Sequence, residues 1–205
     1  MPRSFWDRWA GFYDLAERTN RTAVEGILRA VVKRIPAGAG VLECAAGTGA
    51  ISIAAASRAG HVLCTDMSLP MLEQAKTKAA RLGLANISFE RRDLLSLPDP
   101  DDWYDVTVAA NVLHLLPAPE DAVRELWRVT RPGGLLLLPT FLQGEGGWGF
   151  TNILIPAYQL AGFRPKHRFT RRSYREMIDG CGLGRADYIL VKGRLPAGLA
   201  VLQKP

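Results

Sequence analysis

The chain has 205 residues, 48% of them hydrophobic, which is enough for one α/β domain with a full core and too few for two. Its formal net charge is +6, and no stretch of ~20 uncharged apolar residues occurs that would serve as a helical membrane span. The leading MPRSFWDRWAGF lacks the basic start, apolar run and small-residue cleavage site of a secretion signal, so we expect a soluble, cytoplasmic protein.

In chain order, an arm from Phe5 to Ile35 comes first. FWDRWAGFYDLAERTN places Trp6, Trp9, Phe12 and Tyr13 at helical spacing, and a helix from about Thr22 runs AVEGILRAVVKRI to Pro36 and Gly38. A stripe of this kind either packs in a core or folds over a crevice. Because the first strand starts only at Val41, we expect residues 1–40 to form a helical lid.

Val41 to Ser52, VLECAAGTGAIS, reads as a buried strand, a glycine turn and a helix start, with Glu43 near the strand end. Gly47 and Gly49 let bare backbone approach a ligand, which suits a nucleotide-like cofactor. A dinucleotide turn of the G-x-G-x-x-G kind would place its third glycine at Ser52. An acid at Glu43 would also repel a pyrophosphate and attract a cation. Both points count against an NAD-dependent oxidoreductase.

The apolar run His61 to Cys64 ends in Thr65 and Asp66, and the helical LPMLEQAKTKAARLG closes at Gly83. Asp66, at the carboxyl end of strand two, is placed to accept both hydroxyls of a ribose. Its alternative is an acid at a helix N-terminus, but Ser68 is the better N-cap. Met67 would lie beside the base of the nucleoside or, as methionines more often do, in the core. Strand three is expected at Ile87 to Arg91, followed by Asp93 and Leu94; Asp93 either accepts an exocyclic amine or pairs with Arg91 or Arg92. The fourth strand spans Tyr104 to Ala110, with Asn111 and His114 just beyond it. The block APEDAVRELWRVTRPGGLLLLPTF reads as an amphipathic helix ending at Arg131, a Pro132-Gly133-Gly134 stop and a leucine-rich fifth strand. A helix at Arg171 to Gly180 and strands near Ala186 to Val191 and Ala197 to Leu202 complete the chain. Cys44, Cys64 and Cys181 are odd in number, with the first two in strands, which points to reduced core thiols; no C-x-x-C or H-E-x-x-H pattern suggests a metal.

The first turn resembles motif one of the class I S-adenosylmethionine-dependent methyltransferases, acid-x-Gly-x-Gly-x-Gly, aligned as Glu43-x-Ala45-x-Gly47-x-Gly49 with Ala45 replacing the first glycine. The Asp93 segment and the Arg131-Pro132-Gly133-Gly134 block resemble that family's later motifs, so the likeness covers Val41 to Phe141. The resemblance implies an α/β, Rossmann-like, seven-stranded doubly wound sheet over 41–205, with an insertion at about 142–170 covering the substrate. It implies S-adenosylmethionine as cofactor, held by Glu43, Ala45, Gly47, Gly49, Asp66, Met67, Asp93, Leu94 and Asn111. Tyr13-Asp14 resembles the tyrosine-aspartate of small-molecule methyltransferase lids, which would set Tyr13 on the methionine portion. Ubiquinone/menaquinone-type members are the nearest in kind.

Methyl transfer from a sulfonium is an in-line displacement with a neutral leaving group, so alignment and water exclusion do most of the work. A base is needed only if the acceptor must lose a proton, and His114 fits either that role or a structural one. The expected acceptor is a small molecule, apolar with a polar or anionic head, lipid-like or quinone-like, met by the insertion's Ile153, Leu154, Ile155, Tyr158, Leu160 and Phe163, with Lys166 at its head. No Asn-Pro-Pro-Tyr motif follows strand four, and no aromatic platform accompanies the bases, so no nucleic acid partner is expected. Arg164, Lys166, Arg168, Arg171, Arg172 and Arg175 hold the whole charge excess, since the other 20 bases match 20 acids. That segment, 164–175, reads equally as a contact for an anionic substrate or membrane surface and as a solvated face. A regulatory module that binds S-adenosylmethionine without turnover is the remaining alternative.

Overall fold

A computed structural model describes residues 20–145 and 165–205. The elements in order are α1 (Arg21–Val32), β1 (Gly40–Cys44), α2 (Ala50–Ala55), β2 (His61–Asp66), α3 (Leu69–Arg81), β3 (Ile87–Arg91), β4 (Tyr104–Ala109), α4 (Pro119–Val129), β5 (Thr130–Phe141), α5 (Arg171–Gly180), β6 (Ala186–Val191) and β7 (Ala197–Gln203), with short 3-10 turns at Leu113–Leu115 and Gln143–Glu145. They build one seven-stranded sheet in the order β3-β2-β1-β4-β5-β7-β6. The first five strands are parallel, and β7 runs antiparallel between β5 and β6.

The strand sequences explain the layering. Parallel strands covered on both faces need apolar side chains on both, and VLEC, HVLCTD and YDVTVA supply them. Along β5 the side chains alternate between two cores: Leu136 and Leu138 join Leu113, Leu126, Tyr174 and Ile178, whereas Leu137 joins Ile27, Val31, Val41 and Val106. Thus α4 and α5 cover one face, and α1 and α2 cover the other.

The described end of the amino-terminal arm is part of this sandwich. Ala23, Ile27 and Val31 are buried, and Gly26 lies so close to β6 that an added Cβ would stand 2.4 Å from Val191 Cγ1. Asn20 pins the start of α1 to the β6–β7 turn: its side chain donates to Leu195 O at 2.8 Å and accepts from Leu195 N at 3.2 Å. Tyr13 and Tyr158 lie outside the described residues, as do most of the lid and the apolar insertion.

Two expectations about local structure are corrected. Helix α4 ends at Val129 rather than Arg131, and β5 begins at Thr130. Thr130 leaves the helix in an extended conformation, donates its hydroxyl to Leu126 O at 2.7 Å and pairs opposite Tyr104. Val106 then faces Leu135, so the strand bulges between the two pairs. Gly133 N–H donates to Lys204 O, and Lys204 N–H donates back to Gly134 O. The Pro-Gly-Gly run is therefore a strand irregularity, not a helix stop. Ser68 occupies the N-cap position of α3 but makes no capping bond with its side chain; instead its N–H donates to Asp66.

Candidate cofactor cleft

The tips of β1, β2 and β4 and the loop after β3 meet at the carboxyl edge of the sheet. The turn after β1 places Ala45, Gly47 and Gly49 at φ 52°, 55° and 78°. Left-handed backbone at every second residue folds the chain back on itself, and Gly49 is also spatially required: a Cβ there would stand 2.7 Å from Ala75 Cβ. Ala45 adopts this conformation with a side chain present, at a cost of roughly 1 kcal/mol.

Glu43 is 2% exposed and points under this turn. It accepts from Ser52 N–H at 2.7 Å and from the Ser52 hydroxyl, while Thr65 donates its hydroxyl to Glu43 O at 2.9 Å. The position where a dinucleotide fold would place glycine therefore anchors the acid. Asp66 is held from both sides: Gly47 N–H donates to Oδ2 and Ser68 N–H to Oδ1, each at 2.8 Å. This clamp orients Asp66 on the wall of the larger cavity.

Asp93 makes no pair with Arg91 or Arg92. Arg91 donates to Met67 O at 3.1 Å, and Arg92 pairs with Glu90 at 2.7 Å and with Asp99. Asp93 instead accepts from Leu95 N–H at 2.9 Å, which shapes its loop. Met67 is 51% exposed and so is not core. Asn111 sits at φ 52°, donates its N–H to Pro139 O at 2.9 Å and accepts Phe141 N–H on Oδ1 at 3.0 Å.

These residues line two adjoining cavities. The larger, of about 320 Å³, brings Gly47, Asp66, Met67, Asp93 and Leu94 against Val112, Leu115 and Leu116. The smaller, of about 40 Å³, holds Glu43 and Thr48 beneath Val24, Ile27 and Leu28 of α1. Ala45, Ala110 and Asn111 line both, so they form the neck between the two. Glu43, Ala45, Gly47, Asp66, Met67, Asp93, Leu94 and Asn111 are thus gathered around one cleft. Gly49 supports it from behind. Sequence reasoning missed Ser52, the α1 wall and Ala110; only the small size of Ala110 beside Asn111 was a visible signal.

His114 lies elsewhere. It is 4% exposed and lines neither cavity, and its carbonyl accepts Lys166 N–H at 2.8 Å and His167 N–H at 3.1 Å. Burial first, and the charge of His167 second, lower its pKa to about 4, so its ring is neutral at pH 7. Among the described bases of the 164–175 segment, Arg171 pairs with Glu145, Arg172 with Glu176, and Arg175 lies over the Tyr188 ring at 4.8 Å. The three cysteines are free and buried, and burial raises the Cys44 thiol to about 12.

Comparison with known proteins decides the family. The profile of the family described as Methyltransferase domain matches residues 41–134. A ubiquinone/menaquinone biosynthesis C-methyltransferase of Azotobacter vinelandii is 35% identical over 178 residues, 77% of this chain and 70% of that protein. The chain belongs to the class I S-adenosylmethionine-dependent methyltransferases. An uncharacterized protein of Mycobacterium tuberculosis is 35% identical over 99 residues, 48% of this chain and 36% of that protein, so the chain spans about a third of that relative's length. A SAM dependent methyltransferase from Aquifex aeolicus superposes with a TM-score of 0.66 at 20% identity, over 85% of this chain and 87% of that one, and shows the shared methyltransferase fold.

The cleft suits the family's cofactor. A sulfonium nucleoside carries a positive charge at one end and a diol and an amine at the other. Among the described residues, the smaller cavity presents Glu43 and the larger presents Asp66 and Asp93.

Proposed function

We propose that the protein transfers a methyl group from S-adenosylmethionine to a small aromatic acceptor of the hydroquinone type. The observation that carries the reading is the arrangement of three carboxylates around one two-lobed cleft, with Glu43 buried in the lobe whose other walls are largely apolar. A buried acid favours a cation and disfavours a pyrophosphate. In this reading Glu43 meets the charged methionine end, Asp66 the ribose, and Asp93 with Met67 and Leu94 the adenine.

When bound, the cofactor supplies an electrophilic methyl on a sulfonium. The chain's residues then have three tasks. Ala45, Ala110 and Asn111, at the neck, set where the methyl can lie, because among the described residues they alone line both lobes. Val112, Leu115 and Leu116 keep water from the acceptor side. The glycine turn and the clamped Asp66 hold the nucleoside rigidly, and such positioning supplies roughly 7 to 11 kcal/mol of barrier reduction.

The acceptor class rests on chemistry and on the Azotobacter relative, whose name places it in ubiquinone and menaquinone biosynthesis as a C-methyltransferase. A quinone ring carbon is electrophilic and cannot attack a sulfonium. The reduced ring is nucleophilic, and it gives up a proton as the new carbon–carbon bond forms.

Calorimetric titration with S-adenosylmethionine and with NAD tests the first half of the reading: the former binds and the latter does not. Glu43→Gln should weaken cofactor binding roughly 10- to 100-fold, the worth of a charge-assisted bond of about 1.5–3 kcal/mol. Incubation with labelled cofactor and a reduced lipid-quinone extract then gives a labelled quinol. Cofactor binding with no labelled product from any extract would point to a regulatory module instead.

A further inference from the structure

Among the described residues, two buried polar atoms at the carboxyl end of β5 find no hydrogen-bond partner: Thr140 Oγ1 and Gln143 Oε1. Several other buried polar side chains do find partners. Thr107 and Thr130 share a bond at 2.7 Å, Thr65 donates to Glu43 O at 2.9 Å, and Ser52 serves Glu43. An unsatisfied buried hydroxyl is costly and needs a reason. Valine would fill the volume of Thr140 without that cost, and Thr140 is 0% exposed, so solvent does not provide the reason.

The position of Thr140 does. In the β4–β5 register Val108 faces Leu137, and continuing it sets Asn111 opposite Thr140. The bonds of Asn111 to Pro139 O and Phe141 N–H confirm that pairing. Asn111 belongs to the neck of the cleft, where the transferable methyl would lie. Strand alternation puts Thr140 on the face of Leu136 and Leu138, the same face as Val112 and Leu94 of the larger cavity. Thr140 is therefore one strand beyond the neck, on the side away from the nucleoside acids, and Gln143 follows in the 3-10 turn that leaves the sheet edge.

We propose that Thr140 and Gln143 are specificity-determining residues that receive a hydroxyl of the methyl acceptor. Gln143 Oε1 accepts a hydrogen bond from the hydroxyl, and Thr140 Oγ1 can donate to the same oxygen or accept from a second hydroxyl. A ring-borne hydroxyl satisfies both orphaned atoms; an ether or unsubstituted ring leaves them buried and unpaired. The selectivity for the reduced, hydroxyl-bearing ring thus has a structural source. The proposal rests on the methyl-transfer reading above.

The test uses the full chain saturated with S-adenosylhomocysteine and two probes under anaerobic conditions, 1,4-naphthalenediol and 1,4-dimethoxynaphthalene. The wild type should bind the diol at least about tenfold more tightly than the diether, because a site built for a hydroxyl rejects the analogue that lacks the proton. Thr140→Val and Gln143→Met should each remove most of that preference, while Thr140→Ser keeps it. Cofactor affinity should stay the same in all of them, and the thermal midpoint of Thr140→Val should not fall, since an unpaired hydroxyl has been removed. Equal binding of the two probes by the wild type, or a preference that survives both substitutions, overturns the proposal. Failure of the wild type to bind S-adenosylhomocysteine overturns the methyl-transfer reading and this proposal together, whereas intact cofactor binding without diol preference overturns this proposal alone.

Discussion

His114 shows how one buried side chain ties local packing to the behaviour of the domain with pH. Its pKa of about 4 lies below the ordinary 6.5, so between those values the unfolded chain holds a proton that the folded chain refuses. The stability linked to this group is complete above pH 6.5 and is lost as the pH falls toward 4, by about 2 kcal/mol between pH 7 and pH 5. His114→Gln should flatten the urea stability profile over that interval by most of this amount. Full turnover of the same variant at every pH would remove any proton-transfer role for His114. At this scale the clustering was legible where chemistry suggests a residue type: the acids Glu43, Asp66 and Asp93, read as one constellation, line one cleft. Ala45 was legible as a departure from glycine, but its φ of 52° was not. The role of Ser52 was hidden, because it arises only when the glycine turn folds back and brings its N–H and hydroxyl onto Glu43.

Elements with one dominant physical signal were read with nearly their observed bounds. Helix α5 and strands β3 and β6 span the residues expected of them, since each joins a clear periodicity to polar or glycine boundaries. The start of β5 was not legible, because Pro-Gly-Gly reads locally as a helix stop and only the pairing of Gly133 and Gly134 with Lys204 makes it strand. The turn between β1 and α2 couples element geometry to the cleft, and Gly49 is its tightest point. Gly49→Ala combines a left-handed alanine with a Cβ 2.7 Å from Ala75 Cβ. We expect it to cost about 1–3 kcal/mol, lowering the thermal midpoint by about 2–4 °C per kcal/mol and weakening cofactor binding. Adding Ala75→Gly should restore the part due to contact and leave the part due to backbone strain. A double variant no more stable than Gly49→Ala would show that the close approach to α3 is not what requires glycine there.

For the whole molecule, the fold disposes of much of the charge that the sequence concentrates. Of the described bases in 164–175, Arg171, Arg172 and Arg175 have an acid or a ring beside them, whereas Lys166 and Arg168 are exposed with no ion pair among the described residues. The N–H groups of Lys166 and His167 both donate to His114 O, which fixes Lys166 and the neighbouring Arg168 beside the 3-10 turn whose Leu115 lines the larger cavity. A greasy acceptor resides in a bilayer, and we propose that Lys166 and Arg168 bring the cleft to an anionic surface. At about 1 kcal/mol per base near such a surface, the pair is worth about 2 kcal/mol, or roughly thirtyfold in partitioning. Sedimentation with vesicles containing phosphatidylserine should therefore retain the wild type at low salt and release it as salt rises, as screening requires. Lys166→Ala with Arg168→Ala should lose most of that binding while keeping cofactor affinity. Equal binding to uncharged vesicles, or no loss in the double variant, would show that the segment is a solvated face and that the acceptor reaches the cleft by another route.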